Sequence, residues 1–380
     1  MPAPAATLIA TPSRTTVSFG LEPALNGFHS LMLLIKADRL YGLDEWVTRT
    51  VASLPKEVWH THQIVFDGLY HAVEPARSYP SFPAYIDDLA AQDPSLLRDR
   101  LFEAYSRHPL LADKTDGKHA KAVPLRDTSY LLASKKAFLS YLRERFSPEY
   151  LNEEIEAESH GLLKNPPAMQ ELIVSHLRRM WSEVLEPEWK RVTPMLQACI
   201  DAYRQIDFSG LSNLDAAYRV IGHEIDEWLQ ANVEKAERVV FVPSAHAGPY
   251  IGKLMSKQVV WLFFGARQPD GVQSTSPDLS RSELLVRMIA LADDTRLRIL
   301  HLLAQHGELC SPDIIRMLDL SQSAASRHLQ QLGATGYIKE RRHDGAKCYS
   351  LSSDRIDDTF HALARFLQTK GSSAGSPIES

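Results

Sequence analysis

Six residues near the C-terminus carry the side chains best suited to reading another molecule: Ser321, Gln322, Ser323, Ser326, Arg327 and Gln330. They alternate with Ala324, Ala325, Leu329 and Leu332, so one face of a helix is apolar and the other polar. Gln and Arg side chains can match the edges of base pairs, whereas Ser hydroxyls and a helix N-terminus can hold phosphate oxygens. Small residues at a helix start let that end approach a duplex closely. An ordinary solvated helix shows the same spacing, so these residues alone do not decide. The following residues do. Residues 337–342 and 347–351 read as strands flanking His343-Asp344-Gly345-Ala346, and Asp-Gly is a strong hairpin signal. Arg341, Arg342 and Lys347 surround that turn, giving a basic hairpin suited to a phosphate backbone.

These side chains need a scaffold. Ser311 is a plausible N-cap with Pro312 at the first helical position, and Ile314, Ile315 and Leu318 form the buried side of a short helix. Leu320 lies in the turn, and Ser321 caps the next helix. Two helices followed by a basic hairpin make a winged helix-turn-helix, placed at residues 281–370. Upstream, Leu284, Leu285 and Met288 form an apolar stripe; downstream, Ile356, Phe360, Leu363, Phe366 and Leu367 form another. Leu284, Leu285, Met288, Phe360, Leu363 and Leu367 are the expected contacts of a homodimer. The competing reading has the N-terminal region burying both stripes within one chain.

The segment resembles the ArsR-like family of winged-helix transcriptional repressors. Residues 292–300 (ADDTRLRIL), 320–329 (LSQSAASRHL), and 336–338 (GYI) through 349–351 (YSL) carry the resemblance. It implies that Gln322, Ser323, Ser326 and Arg327 face the groove and that the hairpin is a DNA wing. His328 is expected either to support a phosphate contact or to pack the helix. The implied partner is double-stranded operator DNA, bound by a homodimer, with repression the expected outcome. The resemblance covers roughly the last quarter of the chain. Val240-Phe241-Val242-Pro243-Ser244 and Phe264-Gly265-Ala266-Arg267 more loosely resemble an uncharacterised domain fused to some such regulators.

Founding members of that family bind thiophilic metals through a Cys-x-Cys box before the recognition helix. Here the equivalent Glu308-Leu309-Cys310-Ser311-Pro312-Asp313 holds one cysteine, and a soft metal needs several converging ligands. Cys310 therefore reads as a small packing residue, and Cys348 has no evident sequence partner. No nearby pattern favours redox sensing. Cys199 completes an odd set of three, from which no disulfide framework follows. No metal or cofactor is expected. His60 and His62 face different sides of a helix, His223-Glu224 lacks the second His of a metalloprotease motif, and His246 reads as an exposed loop residue. With no phosphate cradle and no ordered nucleophile–base set, the chain is not expected to be an enzyme.

Across the 380 residues the formal charge is −5, which argues against a chain coating nucleic acid along its length. Residues 281–370 carry 13 Lys and Arg against 11 Asp and Glu, so any nucleic-acid surface is local and C-terminal. No apolar run is long enough to span a bilayer, and a cytoplasmic location is the default. The expected fold is mainly α with small β elements. It has a tail at 1–13, a mainly helical regulatory domain at 14–270, a linker at 271–280, the winged helix at 281–370 and a tail at 371–380. Residues 15–19 suggest a strand, and 239–242 and 259–264 suggest a small antiparallel sheet. The N-terminal region could hold a small-molecule effector between helices or set dimer geometry. A protein-interaction or structural nucleoid module and an N-terminal enzyme coupled to DNA binding are the alternative functions. Trp46, Trp59, Phe66, Tyr70, Phe82 and Tyr85 fit a core better than a cavity.

Overall fold

The computed structural model describes residues 16–40, 43–108, 110, 128–148, 151–221, 225, 227–256, 258–266, 281–343 and 346–368. Both expected tails, the linker at 271–280, most of residues 108–127 and Asp344-Gly345 of the expected wing turn lie outside those residues.

Helices dominate the described residues up to 235. They are α1 (Pro23–Leu34), α2 (Glu45–Ser53), α3 (Lys56–Gln63), α4 (Tyr70–Val73), α5 (Phe82–Ala91), α6 (Pro94–Arg107), α7 (Ser129–Ala133) and α8 (Lys135–Arg143). Then come α9 (Glu153–Leu163), α10 (Pro166–Met180), α11 (Glu186–Arg204), α12 (Asn213–Ile221) and α13 (Glu227–Lys235). Caps follow from sequence: Asp44, Ser81, Asp93, Ser134, Asn152 and Asn165 each accept a hydrogen bond from a backbone N–H in the helix they precede. A π-helical turn, Trp181–Leu185, joins α10 to α11 just before Pro187. Proline has no N–H to donate and its ring crowds the carbonyl four residues back, so the turn before Pro187 widens. A second π-helical turn, Ile64–Gly68, follows α3.

Four strands form one sheet in the order β1-β2-β4-β3: β1 (Thr16–Phe19), β2 (Arg238–Ser244), β3 (Gly252–Met255) and β4 (Val259–Gly265). Here the expectation is corrected. The β2 and β4 strands are parallel, as are β1 and β2; only β3, which lies between β2 and β4 in sequence, runs antiparallel to β4. The reason is burial on both faces, which favours continuous apolar strands and parallel pairing. Val240, Val242, Trp261 and Phe263 join the core formed by α1–α10, which includes Phe28, Leu31, Phe82 and Leu177. Val239, Phe241, Val260, Leu262 and Phe264 face a second core with Tyr203, Ala216, Val220, Leu229 and Val233. Trp46, Phe66, Phe82 and Tyr85 are buried, while Trp59 and Tyr70 are half-buried against the first core.

Histidines are unusually deep. His62 Nδ1 lies 3.0 Å from His176 Nε2, and His62 Nε2 lies 3.0 Å from the Leu31 carbonyl. With Nε2–H donating to that carbonyl, Nδ1 accepts from His176. Burial holds both rings well below the ordinary histidine range. His246 is not exposed: it is buried between Ser30 Oγ at 2.8 Å and Glu188 Oε1 at 2.9 Å, with Trp46 stacked on its ring.

The last part of the chain forms a separate core. Its elements are α14 (Arg281–Leu291), α15 (Asp294–His306), β5 (Glu308–Cys310), α16 (Ser311–Leu318), α17 (Gln322–Ala334), β6 (Ile338–His343), β7 (Ala346–Leu351) and α18 (Ser353–Gln368). Ile299, Leu303, Ile314, Leu329, Leu332, Tyr337 and Ile338 fill it. Its antiparallel sheet has the order β5-β7-β6. Together the regions give a mainly helical protein with small sheets and a C-terminal winged helix-turn-helix. Among the described residues, no helix is long and apolar enough to cross a membrane.

Candidate nucleic-acid interface

The helix-turn-helix is built on a local backbone constraint. Helix α16 ends at Asp319, which takes a left-handed conformation (φ 54°, ψ 47°), and the chain turns into α17. Short polar side chains tolerate that region better than most. Ser321 Oγ then accepts the Ala324 N–H at 3.2 Å, capping α17 as expected. The first cap is shifted by one residue: Ser311 is the first residue of α16, and Cys310 occupies the capping position without a side-chain bond. Extended pairing of β5 carries the chain straight to Cys310, leaving no room for the cap to fall later.

Ala325, Leu329 and Leu332 are buried on α17, and Ser321, Gln322, Ser323, Ser326, Arg327 and Gln330 are all exposed. The helix thus offers its N-terminus and one continuous polar face to solvent. His328 differs. It is half-buried, its Nδ1 lies 3.6 Å from Asp293 Oδ1, and burial lowers its pKa against the pull of that carboxylate. It belongs to the contact between α17 and the start of α15.

Arg296 is the positioning residue that the sequence reading missed. Its buried guanidinium donates to the carbonyls of Ala290 (2.7 Å) and Ile289 (2.8 Å) and to Gln331 Oε1 (2.6 Å). One side chain therefore fixes the end of α14 against the middle of α17. An Arg on an otherwise apolar helical face was the available signal, since Arg is rarely buried unless it is paired.

In the wing, Arg342 pairs across the ladder with Lys347 and Arg341 with Cys348. Lys347 is exposed and forms an ion pair with Glu340 at 2.8 Å. The readings of both cysteines are corrected here. Strand β5 pairs with β7 in a register that sets Cys310 opposite Cys348, and the two form a disulfide. The three-residue strand was too short to announce itself in sequence. Among the described residues, no group of three or more His, Cys, Asp or Glu gathers as a metal would require.

Of the expected dimer contacts, Leu285, Phe360 and Leu367 are exposed, and Met288 and Leu363 are half-buried. Leu284 is corrected: it is buried within its own chain, because consecutive helical positions point about 100° apart and only one of the two leucines can face outward. Ile289 and Leu297 add exposed apolar surface nearby.

This geometry defines a winged helix-turn-helix DNA-binding domain. Residues 293–340 match the family model described as bacterial regulatory protein, arsR family. The chain is 38% identical over 69 residues to an uncharacterized HTH-type transcriptional regulator of Methanocaldococcus jannaschii, covering 18% of this chain and 78% of that protein. It is 50% identical over 52 residues to an arsenic resistance transcriptional regulator of Pseudomonas putida, covering 14% and 41%. A solved homodimeric winged helix-turn-helix domain from Mycobacterium bovis matches with 26% identity, 28% and 97% coverage and a TM-score of 0.21. The chain spans about half the length of the first curated relatives it matches. Through its C-terminal domain the chain belongs to the ArsR family of transcriptional regulators.

Proposed function

We propose that this protein is an operator-specific repressor acting in the cytoplasm as a homodimer, with the N-terminal region receiving the controlling signal. The single observation that carries the reading is the exposed face of α17, where six polar side chains surround a capped helix N-terminus beside a basic hairpin. Such a helix end suits the major groove, and a dimer presents two of them about one duplex turn apart. The exposed Leu285, Phe360 and Leu367 on α14 and α18 supply the apolar surface that a dimer would cover.

The proposed action is binding rather than catalysis. Ser30, His246 and Glu188 do form a hydroxyl–imidazole–carboxylate chain, but all three are buried. Ser30 Oγ also donates to the Asn26 carbonyl at 2.9 Å, so the hydroxyl closes a turn of α1 rather than facing a substrate. Repression is likewise proposed to need no metal.

The test is binding of the full-length protein to promoter fragments and scrambled DNA across a salt series. Preference for one fragment that persists at high salt is expected; equal affinity for all sequences would sink operator recognition. Repeating the titration after chelation, and again with zinc, cadmium or arsenite, should leave the affinity unchanged.

A further inference from the structure

We propose that Cys310 and Cys348 form a reversible thiol–disulfide pair, oxidised by small disulfide-containing molecules, that sets the operator affinity of the winged helix. The proposal rests on the DNA-binding reading above for its consequence, but not for the chemistry of the pair.

Three observations place the pair. The register of β5 against β7 sets the two residues directly opposite each other, and they are bonded in the structure. Their sequence separation of 38 encloses all of α16, α17 and β6, which is the whole DNA-reading unit up to the second wing strand. The two sulfurs also differ in access: Cys310 is partly exposed, whereas Cys348 is fully buried beneath it.

That difference in access assigns an order. The Cys310 thiolate attacks one sulfur of a small disulfide, R–S–S–R, forming a mixed disulfide and expelling R–S⁻, which takes up a proton. The Cys348 thiol then loses its proton and attacks the Cys310 sulfur, forming the internal bond and expelling the second R–S⁻. Two protein thiols are oxidised and one small disulfide is reduced to two thiols. An excess of R–SH runs the same steps backwards.

Function argues for a switch over a permanent brace. A DNA-binding regulator meets its operator in a compartment where thiols are kept reduced, and disulfides there are usually transient and sensing. Closing the 38-residue span holds the wing and α17 in one arrangement before DNA arrives, and preorganisation of this kind improves affinity. The oxidised protein is therefore the tighter binder.

The experiment equilibrates the full-length protein with oxidised or reduced glutathione, then alkylates it under denaturing conditions and weighs it. Three thiols are expected in the reduced protein, and one in the oxidised protein, namely Cys199. Operator affinity should fall at least roughly five-fold on reduction, and Cys310→Ser and Cys348→Ala should each hold the reduced value under both conditions. Cys348→Ala shrinks a buried side chain, so the partly exposed Cys310→Ser stands as the independent variant. Three alkylated thiols after oxidation would overturn the pair. A bond that reduced glutathione cannot open, or one that opens without changing affinity, would overturn the switch. Normal thiol counts with no operator binding in either state would support the pair and count against the DNA-binding reading alone.

Discussion

At the scale of single residues, the domain separates those that read from those that hold the reader in place. Arg327 is exposed on α17, and Arg296, one helix away, is buried with three hydrogen-bond acceptors. Their loss should therefore register in different measurements. Arg327→Ala should weaken operator binding by roughly 1–3 kcal/mol while leaving scrambled DNA nearly unaffected, since a base contact carries discrimination. Neutralising Arg341 and Arg342 together should weaken both alike and flatten the salt dependence by about two counterions. A fluorescence-anisotropy salt series separates the outcomes, and equal loss on both DNAs for Arg327→Ala would remove it from the groove. Arg296→Leu should instead cost roughly 2–4 kcal/mol of stability in urea unfolding, because Gln331 and the carbonyls of Ile289 and Ala290 lose their donor inside the core. A change below about 0.5 kcal/mol would show that the guanidinium is not the clamp its contacts suggest.

At the scale of elements, exposed apolar faces ask for partners. Leu285 and Ile289 on α14 and Phe360 and Leu367 on α18 are each at least half exposed, and α14 packs on α18, so they sit on neighbouring elements. Phe360→Asp combined with Leu367→Asp should convert the proposed dimer to a monomer at low micromolar concentration, measured by light scattering, with the monomer fold retained because both side chains already meet solvent. A wild type that is monomeric both free and on a palindromic operator would refute the dimer. Much of this domain was legible in sequence because its rules are local. Apolar spacing gave α14 and α16 to α18, Ser321 gave a cap, and Asp344-Gly345 flagged the join between β6 and β7. What stayed hidden depended on distant pairing. The three residues of β5 have no periodicity to detect, and without that strand Cys310 and Cys348 look unrelated. The parallel order of β1, β2 and β4 was partly visible in the unbroken apolar runs Val239–Val242 and Val259–Phe264, which signal burial on both faces. Reading them as antiparallel had the neighbours right and the direction wrong: β2 and β4 lie side by side, β3 lies on the far edge of β4, and local spacing carries no sign of such distant pairing. His246 was misread for the same reason, since Glu188 and Ser30 lie 58 and 216 residues away.

At the scale of the whole molecule, buried titratable groups make stability depend on pH from both sides. Burial holds His29, His62 and His176 below their ordinary value of 6.5, to about 3, 3 and 4, so the folded protein keeps them neutral. Unfolding frees them to bind protons below pH 6.5. Their contribution is therefore fully present above 6.5 and is lost as pH falls toward 4 for His176 and toward 3 for His29 and His62, at about 1.4 kcal/mol per pH unit for each group over the range where only the unfolded form is protonated. Glu188 acts further down. Burial opposes its charge, but hydrogen bonds from His246 and Arg191 outweigh that and hold it at about 2, so its contribution is lost below 4.5. Glu156 has the opposite sign. Burial, reinforced by the nearby Asp67 carboxylate, raises it from 4.5 to about 8, so the folded form stays protonated while the unfolded form ionises. Its contribution is present below 4.5 and is lost as pH rises through 8. The acid limb sums three histidines against Glu156 and, more weakly, the partly exposed Asp67, which is raised to about 6. Above 6.5 only Glu156 remains of this set. Stability should therefore rise to a maximum near pH 6.5 and decline gently toward pH 8. Glu156→Gln should remove that decline, raising the urea midpoint at pH 8 by more than at pH 5, because the amide stays neutral in both states. Parallel profiles for the variant and the wild type between pH 5 and 8 would show that Glu156 is not the group responsible.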